Sequence, residues 1–175
     1  DTPGLVEAAC RGGWPEAIDM VSADAQLIAR EYLNTTFSSS FPAVGLDPDI
    51  ARRVSASIAR NLGQATTYKT IVMDMFGAEE EPAAFADETK VRRYLDALKG
   101  MFILEEVPGW VPAARDKRRF TVKPKRYLAD PSLACALLGM SSRALLADWQ
   151  TFGLVFENLV IRDLSVYARS LDLLD

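Results

Sequence analysis

The sequence predicts a mainly α-helical domain with a small β component, and three observations lead there. Apolar residues recur at helical spacing through most of the chain, from Leu27 to Leu171. A strand-like run, Met101–Val107, follows directly on a helix that should stop at Gly100, and it ends at Pro108-Gly109. Two shorter runs, Arg119–Val122 and Arg126–Leu128, are separated by Pro124, which cannot donate to a ladder. With 175 residues, 49% of them hydrophobic, roughly 70% of the unfolded chain's surface should leave water on folding. No disulfide or structural metal is needed to hold such a core.

Local chemistry sets the helix boundaries. Ser22-Ala23-Asp24 opens the first clear helix, with Leu27, Ile28, Tyr32 and Leu33 on one side and an end near Asn34. A polar stretch, Thr35 to Gly45, leads to Asp47-Pro48, an N-cap followed by proline at the first helical position. Ile50, Val54, Ile58 and Leu62 then line that helix up to Gly63. Thr66 or Thr67 caps the next, whose apolar face is Tyr68, Ile71, Val72, Met75 and Phe76, closed by Gly77. Residues 78–86, with Glu79-Glu80-Glu81-Pro82, have no period and read as a loop. Asp87 caps a helix that buries Val91, Tyr94, Leu95 and Leu98 and turns Lys90, Arg92, Arg93, Asp96 and Lys99 outward. Tyr94, Leu95, Leu98, Phe102 and Leu104 are expected in one core. Pro131 opens a short helix over 132–138 that Gly139 closes, and Ser141 or Ser142 caps another through Leu145 and Leu146. From Gln150 a one-sided helix about 30 Å long carries Phe152, Val155, Phe156, Leu159, Val160, Leu164, Tyr167 and Leu171.

Composition excludes several chemistries. The chain has no His, which removes a Ser-His-Asp hydrolase, a His general base and the usual His-bearing metal sites. Cys10 and Cys135 lie far apart in apolar surroundings and read as small core residues in a reducing compartment. No run approaches the ~18 apolar residues of a membrane span, and the opening residues have no signal-peptide pattern. A soluble, cytoplasmic protein without a membrane partner is expected. The chain opens at Asp1 without Met and closes on Leu173-Leu174-Asp175, so it is expected to be a piece of a longer polypeptide.

Helices, then a helix ending at Gly100, then strands joined by a basic loop, form the order of a winged helix-turn-helix-like domain with additional C-terminal helices. The words are more specific than the order. Residues 91–110 hold Tyr94-Leu95, Leu98, Phe102-Ile103 and the Pro108-x-Trp110 pair, and residues 123–139 hold Lys125-x-Tyr127-x-x-Asp130-x-Ser132-Leu133. Residues 153–164 hold Gly153-x-x-x-Glu157-Asn158, and residues 12–17 read Gly-Gly-Trp-Pro-Glu-Ala. Together they resemble the domain of unknown function that follows the P-loop core in a large bacterial and archaeal family of AAA-type ATPases. That family usually has Gly where Ser132 stands.

The resemblance implies three stretches: residues 1–21 as the end of the ATPase core or linker, 22–112 as a winged-helix-like helical domain, and 113–175 as a basic β hairpin and the start of a C-terminal, nuclease-like domain. It implies a non-catalytic region that couples the ATPase to a partner, with the ATPase core itself as one partner. These residues contain no GxxxxGK[ST] loop. No cofactor is therefore expected in this chain, and ATP and magnesium belong to the parent's core. The family's C-terminal part is similar to PD-(D/E)xK nuclease folds, and Glu157 would be its first-helix carboxylate, without the strand Asp and Glu-x-Lys that hold a metal. A free-standing winged-helix DNA-binding regulator is the alternative.

The net charge of −4 hides an asymmetry: Arg115, Lys117, Arg118, Arg119, Lys123, Lys125 and Arg126 against Asp116 give +6 over residues 115–126 and leave −10 elsewhere. Such a wing suits the phosphates of duplex DNA, with Lys90, Arg92 and Arg93 toward the groove. It suits equally a solvated hairpin facing an acidic protein. Against DNA stands the Glu79-Glu80-Glu81 run. Gly153, one turn before Glu157 and Asn158, could let another backbone approach the carboxylate, but a capping or inter-helix hydrogen bond is the favoured role for that pair. Trp14, Trp110 and Trp149 read as packing anchors rather than base-stacking platforms.

Overall fold

The computed structural model describes residues 1–77, 88–110 and 122–171. Within them the chain is mainly helical, with one small antiparallel sheet. Helix α1 (Thr2–Arg11) is followed by a single 3-10 turn at Pro15–Ala17, then α2 (Ser22–Thr35), a π-helical stretch (Thr36–Ser40) and α3 (Phe41–Ala43). Helices α4 (Pro48–Arg60), α5 (Tyr68–Phe76) and α6 (Glu88–Gly100) precede β1 (Leu104–Val107) and β2 (Lys125–Leu128). Helices α7 (Pro131–Leu138), α8 (Ser142–Ala147) and α9 (Trp149–Ser170) complete the order. The expected Asp87 cap, the 78–86 loop and most of the Arg119–Val122 run lie outside the described residues.

The short helix α7 is the hub. Five consecutive residues, Pro131 to Cys135, are buried, and a helix apolar on every side must sit inside a core rather than on it. It contacts α1, α2, α4, α9 and β2. One apolar cluster therefore runs from Val6 and Cys10 through Phe37, Ile58 and Leu98 to Leu133 and Leu159, drawing on all three stretches implied by the resemblance.

Three caps are those the sequence indicates, whereas Asp1, Asp130 and Asp148 cap α1, α7 and α9 without having been expected, and α2 starts after Val21 with no side-chain cap. Asp47 accepts from the amides of Asp49 and Ile50, Thr67 from Thr70, and Ser141 from Ala144. The polar stretch after Asn34 differs: it stays helical through Ala43 and buries Phe37 and Phe41. Hydroxyls add bonds to the backbone there, where Tyr32 O already accepts from the Thr36 amide. Thr36 Oγ1 donates to Tyr32 O at 2.8 Å and Ser39 Oγ to Thr35 O at 2.6 Å. The residues that look like linker are thus the ones that carry the irregular turn.

The end of α6 also differs from expectation. Gly100 is its last helical residue, and the turn is made two residues later by Phe102, a non-glycine residue with φ of 54°. Phe102 N donates to Lys99 O at 3.1 Å and Ile103 N to Leu98 O at 3.0 Å, the paired bonds of a Schellman termination. That geometry buries Ile103 with Leu98 and leaves Phe102 80% exposed. Ile103, not Phe102, therefore joins Tyr94, Leu95, Leu98 and Leu104 in the core. The face expected along α9 is likewise buried only in its first half: Phe152, Val155 and Leu159 are inside, whereas Leu164, Tyr167 and Leu171 are exposed.

Leu95→Ala should cost about 2–5 kcal/mol through the cavity it leaves. Phe102→Gly should change stability by less than about 1 kcal/mol, because relief of the left-handed backbone is offset by a freer unfolded chain. Urea denaturation midpoints measure both.

Candidate functional site

The segments that carry the family resemblance meet around the two ends of β2. At its C-terminal end stands Asp130, the N-cap of α7, with extended backbone. Its Oδ1 accepts from the backbone N and the hydroxyl of Ser132, at 2.9 and 2.5 Å. Its Oδ2 accepts from Gly13 N at 2.8 Å and from Arg162 Nη1 at 2.6 Å. Ser132 in turn accepts from Trp14 Nε1 at 2.8 Å. One carboxylate thus joins the segment after α1, the start of α7 and the middle of α9. The Ser132 hydroxyl links the indole to the carboxylate.

The glycine pair at 12–13 follows from this geometry. Gly12 has φ of 75° and ψ of −172°, a region that residues with a Cβ hardly enter. A Cβ there would also collide with Asp130 Oδ1 and Ser132 Oγ.

The outer edge of β2 is closed by two different partners. Gly63 N donates to Arg126 O at 2.9 Å, and Arg126 N donates to Gln64 O at 3.3 Å. Two residues on, the side chain of Asn158 acts as a strand: Leu128 N donates to its Oδ1, and its Nδ2 donates to Leu128 O, both at 2.9 Å. Asn158 is buried and so are its partners. Its neighbour Glu157 accepts from Tyr127 Oη at 2.6 Å and from Lys125 Nζ at 3.1 Å. The Tyr127 hydrogen bond, helped by Lys125, holds the Glu157 carboxyl below its ordinary range. Burial, reinforced by the carboxylate it faces, pushes the Tyr127 phenol well above its own. The close approach to Glu157 is made by Gly63, where a Cβ would lie 2.8 Å from Oε1. Around Gly153 the space is open.

The basic residues divide into two groups. Arg126 is only 5% exposed: Nε bonds Glu106 at 2.9 Å, Nη1 bonds Thr66 O at 2.7 Å, and the guanidinium lies 5.6 Å from the Tyr68 ring centre. It is a structural residue facing inward, withdrawn from any surface set. Lys125 is half-exposed and engaged with Glu157. Lys90, Arg92, Arg93 and Lys123 are exposed, with Arg92 also over Tyr68. Arg118, Arg119 and the Glu79-Glu80-Glu81 run lie outside the described residues. Trp14 is a packing anchor against Tyr32, but Trp110 is 83% exposed and Trp149 is exposed as well.

A cleft of about 460 Å³ opens beside the Asp130 junction, bordered by Glu105, Asp163, Arg162, Tyr167 and Arg169. Its charges answer one another: Arg162 bonds Asp163 as well as Asp130, and Arg169 lies 3.9 Å from Glu105. Among the described residues no three Asp, Glu or Cys side chains are grouped to hold a metal ion, and no buried side-chain polar atom lacks a partner. The arrangement ties elements together. Sequence reasoning missed Arg162, whose signal is a charge on the inner side of α9, and Gly63, whose signal is a glycine closing α4 ahead of a β-region turn.

The chain belongs to the family described as domain of unknown function DUF8612, whose profile matches residues 2–144. It is similar to the uncharacterized protein Rv2008c of Mycobacterium tuberculosis and to the uncharacterized protein Mb2031c of Mycobacterium bovis. Each is 27% identical over 158 residues, covering 89% of this chain and 33% of the relative. The chain therefore spans about a third of the length of these curated relatives. No solved structure matches.

Asn158→Ala should leave the Leu128 N–H and C=O buried without partners and cost about 2–5 kcal/mol. Asn158→Asp should stay close to that loss, since a carboxylate cannot donate to Leu128 O. Gly12→Ala should cost about 2–3 kcal/mol through backbone strain and the clash with Asp130. Chemical denaturation of each purified variant checks these values.

Proposed function

We propose that this chain is a non-catalytic region of a AAA-type ATPase, a winged-helix-like interaction module that couples the ATPase core to a partner. One observation carries the reading. Gly13 and Trp14 bond Asp130 and Ser132, and Glu157 and Asn158 bond Tyr127 and Leu128, so three distant stretches that resemble that ATPase family meet around the two ends of β2. Segments kept together for a shared role in one fold behave this way; unrelated short matches have no reason to meet. The junction's polar groups satisfy one another, so any function falls to the exposed surface.

For the partner, duplex DNA is one class. The β1–β2 hairpin lies beside α6, its strands are separated by the basic stretch from Arg115 to Lys123, and α6 exposes Lys90, Arg92 and Arg93. That arrangement fits a wing along phosphates and a helix toward a groove. An acidic protein surface is the second class and would meet the same charges.

Two measurements bear on the proposal. Calorimetric titration of the isolated chain with ATP should show no binding, because it has no glycine-rich phosphate loop with its lysine. A full reading frame without a GxxxxGK[ST] loop would replace the ATPase reading with a free-standing winged-helix regulator. Fluorescence anisotropy with a labelled duplex should show weak, sequence-independent binding, with Kd around 10⁻⁴–10⁻⁶ M and steep weakening as salt rises. Arg118→Ala, Arg119→Ala and Lys123→Ala together should flatten the salt dependence by about one unit per lost phosphate contact. Absence of binding at low salt would move the partner to the acidic-protein class.

A further inference from the structure

Cys10 and Cys135 stand 125 positions apart in the chain, yet their sulfurs are 3.7 Å apart, both fully buried and hydrogen-bonded to each other. They are the chain's two cysteines. Cys10 sits near the end of α1 and Cys135 in the middle of the hub helix α7, so the contact joins the first element to the centre of the core. Two small apolar residues would fill the same space, but two thiols in van der Waals contact need only a shift of about 1.7 Å to reach bonding distance.

We propose that Cys10 and Cys135 are an oxidisable pair that closes into an intramolecular disulfide on exposure to a peroxide, fastening α1 to α7. The reasoning is independent of the ATPase reading.

Either thiol can begin the reaction, because either sulfur can donate in the contact between them. Take Cys10 first. Its thiolate attacks one peroxide oxygen, the S–O bond forms as the O–O bond breaks, and the departing hydroxide takes a proton to become water. The Cys135 sulfur then attacks the Cys10 sulfenic sulfur. The S–S bond forms as the S–O bond breaks, and the Cys135 proton leaves with the hydroxyl as a second water. Two thiols and one hydrogen peroxide become one disulfide and two waters. Burial makes the step dependent on local opening of the core around the two sulfurs.

The test uses the whole chain, reduced and then treated with hydrogen peroxide. Expected are the loss of two hydrogens from the intact mass, the disappearance of both thiols on titration in denaturant, and a faster-running monomer on a non-reducing gel. The melting temperature should rise by roughly 5–15 °C and return on reduction, because the crosslink closes a very long loop in the unfolded chain. Cys135→Ala should instead form no intramolecular crosslink, and its mass should not fall by two hydrogens. Should that variant not fold, peptide mapping of the oxidised wild-type chain still identifies the Cys10–Cys135 linkage. Retention of both thiols, oxygen added to both sulfurs, or a disulfide between two chains would each overturn the proposal.

Discussion

The Asp130 carboxylate is the interaction on which the rest of the structure depends. Helix α7 is buried on every side, so the amides at its N-terminus cannot turn to water and must find acceptors inside the protein. Asp130 meets that need at Ser132 and, with its second oxygen, binds Gly13 and Arg162. A lone buried carboxylate would be very unfavourable, and the Arg162 guanidinium answers its charge at 2.6 Å. The geometry then dictates composition around it. Gly12 must lack a side chain, Trp14 must reach Ser132, and α9 must present a cation at one point of its inner side.

Strand β2 is a two-stranded sheet's exposed edge converted into interior. A hairpin of four residues per strand is marginal alone, and the open edge of β2 would leave its amides unpaired. Gly63 and Gln64 cover one part and the Asn158 amide covers the next. Arg126 is drawn inward for the same reason: its guanidinium bridges Glu106 of β1 and the carbonyl of Thr66, so the hairpin is tied to the turn before α5. Charges that look like a binding surface in the sequence are partly the means by which a short sheet is held against helices.

What remains exposed is correspondingly distinctive. Phe102 occupies a left-handed position with its ring in solvent, Trp110 follows β1 with its indole outside, and the second half of α9 carries apolar residues away from the core. None of these contributes packing to the described fold.

Helix periodicity, Asp47-Pro48, Ser141 and the buried stripe of α6 were legible in the sequence because each depends on residues within one or two turns, whereas the Asp130 cap was not read from it. Of the motif residues Tyr127, Asp130, Gly153, Glu157 and Asn158, Gly153 faces open space. Spacing alone did not reveal which glycine approaches Glu157, since Gly63 lies almost a hundred residues away and only the fold brings it there. Phe102 and Ile103 are equally apolar, and the Schellman bonds, not composition, decide which one is buried. Arg126 reads as part of a basic run until the hairpin register places it opposite Glu106. The sequence by itself indicated α2 and the helices from α4 onward, three of their caps and the absence of histidine chemistry, all local or compositional properties; it did not show α1 or the helical turns over 36–43. Tertiary structure alone decided which polar groups lose water, and therefore which charges and amides are committed to each other rather than to a partner.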